Sequence, residues 1–388
     1  ASRSPARSRG SSARDHLLRP AERVTALAAA LAAFWIVLAA RLAILRGRAP
    51  ALPPPVGQIP GTTVLLPVRD EEENLEACLG TLLEQLGAPE IQVIDDGSTD
   101  STPPRLAAIA ARQPRIRPLV ARPLVDGWTG KVNALDTAFA ELKSPWVLLT
   151  DADTRHAPEL LARAHAAAAE HGLDALSLAG FQEARGFGEN LLTPPVFALL
   201  DLLLGDWRPR ARAEGKATAA NGQYFLIRTA ALRTIGGFAA VLGQPLDDVA
   251  LARALRSGGF RVGFRRAGGA LQVRMYRGYG ETARGWRRNL ALLLGARKAI
   301  VAAVAGLAIL TTLVLLTLLL THRAVPLVIG WSGGVIASAL ARRTSNNDPF
   351  TGALFPLDLL ALSATLLLAT VDRARGRLAP WRGREIRA

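Results

Sequence analysis

Four short stretches of this chain place reactive residue types at spacings that could do chemistry. Asp151-Ala152-Asp153 directly follows the apolar run Trp146–Thr150. In extended backbone, carboxylates two residues apart point to the same side. At a strand's end they can hold one divalent ion, with water and phosphate oxygens completing the octahedron, and Mg2+ or Mn2+ suits such hard ligands. A lone Asp-x-Asp is more often a solvated turn. This one gains weight from its apolar strand and from a second acidic strand end upstream, Asp95-Asp96-Gly97-Ser98-Thr99-Asp100. Those carboxylates could accept from a nucleobase N–H or ribose hydroxyls, although Asp, Gly and Ser equally suit a plain turn or helix cap. Gly130-Lys131 opens a helical pattern, where an ammonium and backbone N–H groups can meet a diphosphate. It is not a Walker loop. With four lysines in the whole chain, it is less readily an incidental surface lysine. Asp247-Asp248 begins another helical pattern, as N-cap chemistry or as a general base at a site mouth. His156, three residues past Asp153, reads either as a metal or phosphate contact or as a surface residue at a helix start.

Something must position these groups. Residues 62–67, 91–95, 146–150 and 223–227 read as buried strands, and 74–86 and 158–170 as helices between them. Strand–helix alternation predicts an α/β fold with a largely parallel sheet. In such sheets ligands sit at the carboxyl ends of the strands, where the acidic stretches fall.

The flanks differ in character. Half of the 388 residues are apolar, 20% are charged, and the mean hydropathy is +0.21, too apolar for an ordinary soluble domain. Residues 25–45, 299–321, 325–340 and 349–371 carry the excess. They predict one N-terminal and two or three C-terminal membrane helices. A signal peptide is the alternative for 25–45, and a buried or re-entrant hairpin for 325–340. Residues 193–206 read as an apolar helix lying at the interface, or as an ordinary buried one. Trp286, with Arg284, Arg287 and Arg288 just before 299–321, has the chemistry of an interfacial anchor, and the same arginines could serve a diphosphate. The single cysteine, Cys78, excludes an internal disulfide and a multi-cysteine metal site.

The ordered set LLPVRDEEENL, IDDGSTD, GKVNALD with VLLTDAD, and NGQYFLI with GGF and LDD resembles the family 2 glycosyltransferases of GT-A fold, over about residues 60–290. The resemblance implies a Rossmann-like, mostly parallel mixed sheet, a nucleotide-sugar donor and Mg2+ or Mn2+. It implies that Pro67, Val68, Glu71 and Glu72 line the nucleotide pocket and that Asp95 and Asp96 bind base and ribose. Lys131 would approach the diphosphate, and Asp151 and Asp153 would hold the metal–diphosphate. Asn221, Gly222 and Gln223 would stand beside the acceptor, and Asp248 would be the catalytic base, preceded by Asp247 where the family carries Glu. The Q-x-x-R-W box of the family's processive synthases is replaced by Arg274-Met275-Tyr276-Arg277 and Gly285-Trp286-Arg287-Arg288-Asn289. That version is similar to the membrane-associated transferases of carotenoids, hopanoid-type lipids or related isoprenoids. It places Arg277, Trp286 and Arg287 on the acceptor or diphosphate side. The implied reaction is inverting transfer of one sugar, UDP-linked by this resemblance, to a membrane-lipid hydroxyl. A polyprenyl phosphate or glycerolipid acceptor, or an inactive nucleotide-binding membrane protein, are the alternatives.

The expected organisation is a basic disordered leader (1–23), a transmembrane or interfacial helix (24–46), a proline-rich linker (47–60), the catalytic domain (61–295), transmembrane helices (296–372) and a basic tail (373–388). Nucleotide sugars are mostly cytosolic, so a multi-pass protein of the cell membrane with its catalytic domain facing the cytoplasm is expected. The net charge of +15 invites a nucleic-acid reading. However, residues 1–50, 275–298 and 372–388 net +7, +5 and +4, whereas 51–274 net −2. The excess flanks the apolar segments, where anionic headgroups attract it, and no nucleic-acid-binding pattern accompanies it.

Overall fold

A strand buried on both faces needs cover from both sides, and its alternate residues divide between two cores. In the computed structural model, which describes residues 20–47, 51–55, 57–204, 220–244, 246–294, 297–343 and 349–376, Val64, Leu66 and Val68 of the first strand pack with Leu75, Leu79, Leu82, Leu160 and Leu161 on one face. Leu65 packs with Val132, Leu135, Leu251 and Leu255 on the other. The strands are β1 (Thr62–Val68), β2 (Glu90–Asp95), β3 (Ile116–Val120), β4 (Trp146–Thr150), β5 (Thr154–His156), β6 (Ala175–Gln182), β7 (Tyr224–Arg228) and β8 (Val262–Val273). They form one sheet in the order β3-β2-β1-β4-β7-β6-β8-β5. The four strands β3, β2, β1 and β4 run parallel. β7 is antiparallel to both β4 and β6, β6 is parallel to β8, and β5 closes the far edge antiparallel to β8. The mixed, mostly parallel α/β sheet matches the expectation.

The helices are α1 (Pro20–Gly47), α2 (Leu75–Leu83), α3 (Thr102–Ala110), α4 (Gly130–Phe139), α5 (Leu160–Glu170), α6 (Phe187–Leu204), α7 (Thr229–Thr234), α8 (Asp247–Ser257), α9 (Gly278–Leu294), α10 (Lys298–Leu320), α11 (Ala324–Arg342) and α12 (Phe355–Ala374). Four stretches among the described residues are long and apolar enough to cross a membrane: Glu22–Gly47, Lys298–Leu320, Ala324–Arg342 and Thr351–Ala374. The third is a single unbroken helix, so a hairpin there is excluded. Its glycines serve close packing. A Cβ at Gly333 would stand 2.8 Å from the Ala32 carbonyl oxygen of α1, the small-residue contact by which apolar helices approach without a hydrophobic drive.

α6 joins this bundle to the sheet domain. It is not simply laid on an interface, since Leu192 and Val196 are buried with Trp286, Leu290, Leu362 and Leu366 of α9 and α12. Pro194 lies inside it and brings no N–H for the Asn190 carbonyl four residues back. The Arg342 guanidinium of α11 donates to that carbonyl instead, at 3.3 Å. Arg342 is 2% exposed and also grips Asp358 of α12 at 2.7 and 2.9 Å. Asp201, near the other end of α6, accepts from Arg46 of α1 at 3.0 Å and from Arg266 of β8. The proline-rich segment is tied down as well: Arg163 of α5 donates to the Leu52 and Pro53 carbonyls at 2.6 and 3.1 Å. Residues 1–19 of the basic leader, the arginines at 208, 210 and 212, and the tail from 377 lie outside the described residues.

Gly333→Val should lower the thermal midpoint of the detergent-solubilised chain, at a cost of about 1–3 kcal/mol for overpacking. Gly306→Ala in α10, where a Cβ meets nothing within 4 Å, should be neutral or stabilise by up to about 1 kcal/mol. Equal effects of the two substitutions would contradict the packing described.

Candidate active site

β1 pairs in parallel with β2 on one side and β4 on the other, with Val68 opposite Asp95 and Leu65 opposite Leu149. Strand order reverses here, which opens a crevice at the carboxyl edge. Three acidic connections border it: Arg69–Asn74, Asp95–Asp100 and Asp151–Asp153. Gly97 turns the second at φ 74°. Asp95 Oδ1 closes that turn, accepting from the Ser98 N–H at 3.0 Å and the Ser98 hydroxyl at 2.5 Å. Asp70, itself left-handed at φ 52°, laces the two loops by accepting from the Thr99 N–H at 2.7 Å. Asp96 is 6% exposed, its N–H bonded to the Val68 carbonyl at 2.9 Å.

At the centre Lys131 Nζ donates to Asp151 Oδ1 at 2.6 Å. Thr129 caps α4 by accepting from the Val132 N–H at 3.3 Å, which sets Lys131 in the helix's first turn. Asp248 stands across a narrow pocket lined also by Lys131, Gly222, Phe238 and Asp247. Leu246 holds the N-cap position of α8 and makes no side-chain cap bond, and Asp248 lies in the helix's first turn. Its Oδ2 accepts from the Gly222 N–H at 2.8 Å and its Oδ1 from the Val249 N–H at 2.7 Å. Burial and then Asp247 push the Asp248 carboxyl up to about 6, against the opposing pull of Lys131 and the two N–H groups. Burial alone would lower Lys131, but Asp151, Asp247 and Asp248 together hold it above its usual value. Burial, then Asp151 and Glu71, raise Asp153 to about 8.

Asp153 Oδ1 is buried without a hydrogen-bond partner. An orphaned carboxylate oxygen beside a second carboxylate fits a divalent cation, which would supply the missing partner. Among the described residues no cluster of three acidic, histidine or cysteine ligands exists. Two carboxylates are therefore the protein's share, and a diphosphate would have to provide further oxygens.

His156 belongs to neither alternative raised for it. It is 2% exposed and lies in β5, its Nε2 within 2.9 and 3.2 Å of the Thr154 and Thr150 hydroxyls. Burial and then Arg155 push it down to about 3, leaving it neutral. Thr154 donates onward to the Asp151 carbonyl at 2.7 Å and Thr150 to the Gln223 carbonyl at 2.7 Å. This buried hydroxyl–imidazole cluster fixes the backbone of the Asp151 turn against the β7 segment that carries Gly222.

Several candidates point elsewhere. The Glu72 carboxylate accepts from the Ser101 N–H at the start of α3; Glu71 Oε2 accepts from Asn74 at 2.9 Å but stays close enough to Asp153 to raise it. Pro67 and Val68 end β1, Val68 with its side chain in the core. The Gln223 side chain is buried and receives Asn221 at 2.8 Å and Gln182 at 3.3 Å, so of Asn221, Gly222 and Gln223 it is the Gly222 backbone that meets the base. Arg277 bridges Glu73 at 2.6 Å and Asn74 at 3.1 Å. Arg287 is paired with Asp372 of α12. Trp286 is no interfacial anchor: it is 3% exposed and stacks edge-on against Phe197 of α6 at 5.3 Å. Helical spacing explains the division, because 285, 288 and 289 share one face of α9 while 286 and 290 share another. On the first face Gly285 admits the Tyr276 ring, which a Cβ would meet at 2.2 Å. Asn289 donates to the Tyr276 hydroxyl at 3.0 Å. Tyr276 is raised to about 12 by burial, with Arg288 opposing and Asp153 adding to the rise. Tyr276 is thus the group of this segment that Asp153 acts on, with Arg288 beside it, while Trp286 and Arg287 face other helices.

Comparison with known proteins agrees with this architecture. Residues 63–234 match the family described as glycosyl transferase family 2. The succinoglycan biosynthesis protein ExoO of Rhizobium meliloti (strain 1021) is 30% identical over 158 residues, 37% of this chain and 44% of ExoO. The chain thus spans under half the length of that curated relative. The mannosyltransferase PcManGT from Pyrobaculum calidifontis, solved in complex with GDP-Man and Mn2+, superposes with a TM-score of 0.54 at 21% identity, covering 90% of this chain and 99% of that one. At that identity the likeness shows a shared GT-A-like fold, membrane-type helices included in the length compared.

The buried neutral His156 gives stability a defined pH dependence. Its folded pKa lies below the ordinary value of 6.5, so its contribution is complete above about 6.5 and is lost progressively as pH falls from there toward 3. His156→Gln should flatten the decline of the thermal midpoint between pH 6.5 and 4.5. A decline as steep as the parent's would mean that His156 is not held neutral.

Proposed function

We propose that the glycosyltransferase family 2 domain of this chain moves one sugar from a nucleotide-sugar donor, UDP-linked in our reading, to a hydroxyl of a membrane lipid such as a carotenoid or other isoprenoid. The observation that carries the reading is the convergence of Lys131, Asp151, Asp153 and Asp248 on one crevice, with the base held by the Gly222 amide. Asp248 is the base: it takes the acceptor hydroxyl's proton as that oxygen bonds to the anomeric carbon. The bond from that carbon to the nucleotide's phosphate breaks on the opposite face, so configuration inverts. Asp151 and Asp153 would hold Mg2+ or Mn2+, which when bound neutralises charge on the departing diphosphate. Lys131 donates to the same oxygens, and Arg288, whose guanidinium faces Tyr276, stands ready on the α9 side. Asp95 and Asp96, at the end of β2, would bind the nucleoside in this reading.

The acceptor would arrive through the membrane. Four helices long and apolar enough to cross one, and α6 wedged between them and the sheet, support a multi-pass chain whose site opens beside the bilayer. Cytosolic nucleotide sugars put that site on the cytoplasmic side in this reading.

Two measurements test it. Full-length chain in lipid nanodiscs, offered UDP- or GDP-sugars with isoprenoid alcohols, glycerolipids or polyprenyl phosphate, should glycosylate the alcohol. Transfer only to polyprenyl phosphate or glycerolipid would replace the acceptor class while keeping the chemistry. Asp248→Asn should lower kcat about 100- to 10,000-fold, the usual worth of a general base, with donor affinity retained; full turnover would falsify the assignment. The carboxylate is the reactive form, so kcat/KM should rise with pH through about 6 and level above it. Asp247→Asn removes the cause second to burial and should move that acid limb to lower pH.

A further inference from the structure

The ion pair between Lys131 and Asp151 has a consequence for how the site fills. Lys131 Nζ sits 2.6 Å from Asp151 Oδ1, with the two side chains 21% and 30% exposed. Its ammonium is confined on the other side, where a Cβ at Gly222 would come within 3.0 Å of it. Asp247 and Asp248 line the same pocket. One lysine thus balances the carboxylates on one flank of the site while occupying an oxygen of a proposed metal ligand. Asp153, two residues further along, keeps a buried oxygen without a hydrogen-bond partner.

We propose that Lys131 is a place-holding cation for the metal site: it occupies Asp151 until a diphosphate draws it away, so divalent ion and nucleoside diphosphate bind as a coupled pair. The inference rests on the donor-binding reading given above. A divalent ion arriving alone must share Asp151 with an ammonium a few ångströms distant, and the repulsion of the two cations opposes it. A diphosphate gives the ammonium anionic oxygens of its own, to which charge-assisted hydrogen bonds form readily. Asp151 is then free for the ion. Each ligand therefore promotes the other, and by linkage the promotion is reciprocal. Lys131 acts here as a positioning residue, in addition to its contact with the donor.

The test is a binding cycle on the full chain in nanodiscs, by titration calorimetry or by the electron-spin signal of free Mn2+. The Mn2+ affinity is measured alone and with UDP or GDP saturating. In the parent protein either nucleotide should tighten Mn2+ markedly. In Lys131→Met, Mn2+ alone should bind about tenfold tighter, the scale on which losing a half-buried competing ion pair is felt, and the nucleotide-induced gain should shrink by a similar factor. Lys131→Arg, which can still pair with Asp151, should keep the weak binding of Mn2+ alone. Lys131→Gln repeats the Met experiment should that variant not fold, folding being read from the thermal midpoint. A simple gain of net negative charge would tighten Mn2+ but leave the ratio between its affinities with and without nucleotide unchanged. An unchanged ratio overturns the inference and leaves the donor reading standing. If neither UDP nor GDP binds, with or without Mn2+, the donor reading falls and the inference with it.

Discussion

Like charges resist being gathered, and this site gathers four carboxylates, Asp151, Asp153, Asp247 and Asp248, around one ammonium. Everything near the crevice eases that cost. Parallel pairing of β1 with β2 and β4 brings three chain connections to one edge, leaving them free to carry polar groups. Asp247 and Asp248 stand in the first turn of α8, where the helix's unpaired N–H groups favour negative charge. The Gly222 amide donates to an oxygen of Asp248, and a Cβ there would press on Lys131 Nζ at 3.0 Å. What remains unbalanced is the Asp153 oxygen, buried without a partner.

Much of this was legible in the residues. The runs Trp146–Thr150 and 91–95 are apolar and short, and they became the strands expected, with Asp151-Ala152-Asp153 and Asp95-Asp96 at their carboxyl ends. Local pattern could not say which polar side chains turn inward. His156 and Gln223 carry polar atoms that would be at home in water, yet tertiary packing places both in the interior, where Thr150 links them. Nor could spacing alone separate Trp286, Arg287 and Arg288, adjacent in the chain but facing α6, α12 and Tyr276. That requires knowing which neighbour lies on each side of α9. β5, three residues long, is too short to announce itself by alternation.

The basic excess also acquires a second meaning. Arginines at the edges of the apolar helices would attract anionic headgroups. Several are instead engaged inside the protein: Arg46 with Asp201, which Arg266 of β8 also holds, Arg287 with Asp372, and Arg342 with Asp358. Arg373 donates to the Ala291 carbonyl at 3.0 Å. Each of these contacts crosses between helices or between helix and sheet. Arginine suits the task because its planar fork can satisfy a carboxylate and a stray carbonyl at once, as Arg342 does for Asp358 and for the carbonyl stranded by Pro194.

Those crossings bear on where the molecule could be divided. In sequence a boundary falls naturally between Leu294 and Lys298, where polar helix gives way to apolar helix. In space there is no such seam. Trp286, Leu290 and Leu294 share a core with Leu362 and Leu366 from the far end of the chain, and with Leu192 and Val196 of α6. A fragment ending at 294 would face water with that apolar surface, and Asp201 would lose its Arg46 if α1 went too. The crevice and the helices are one piece of architecture, in which the linear order of the chain hides how early and late segments share a single interior.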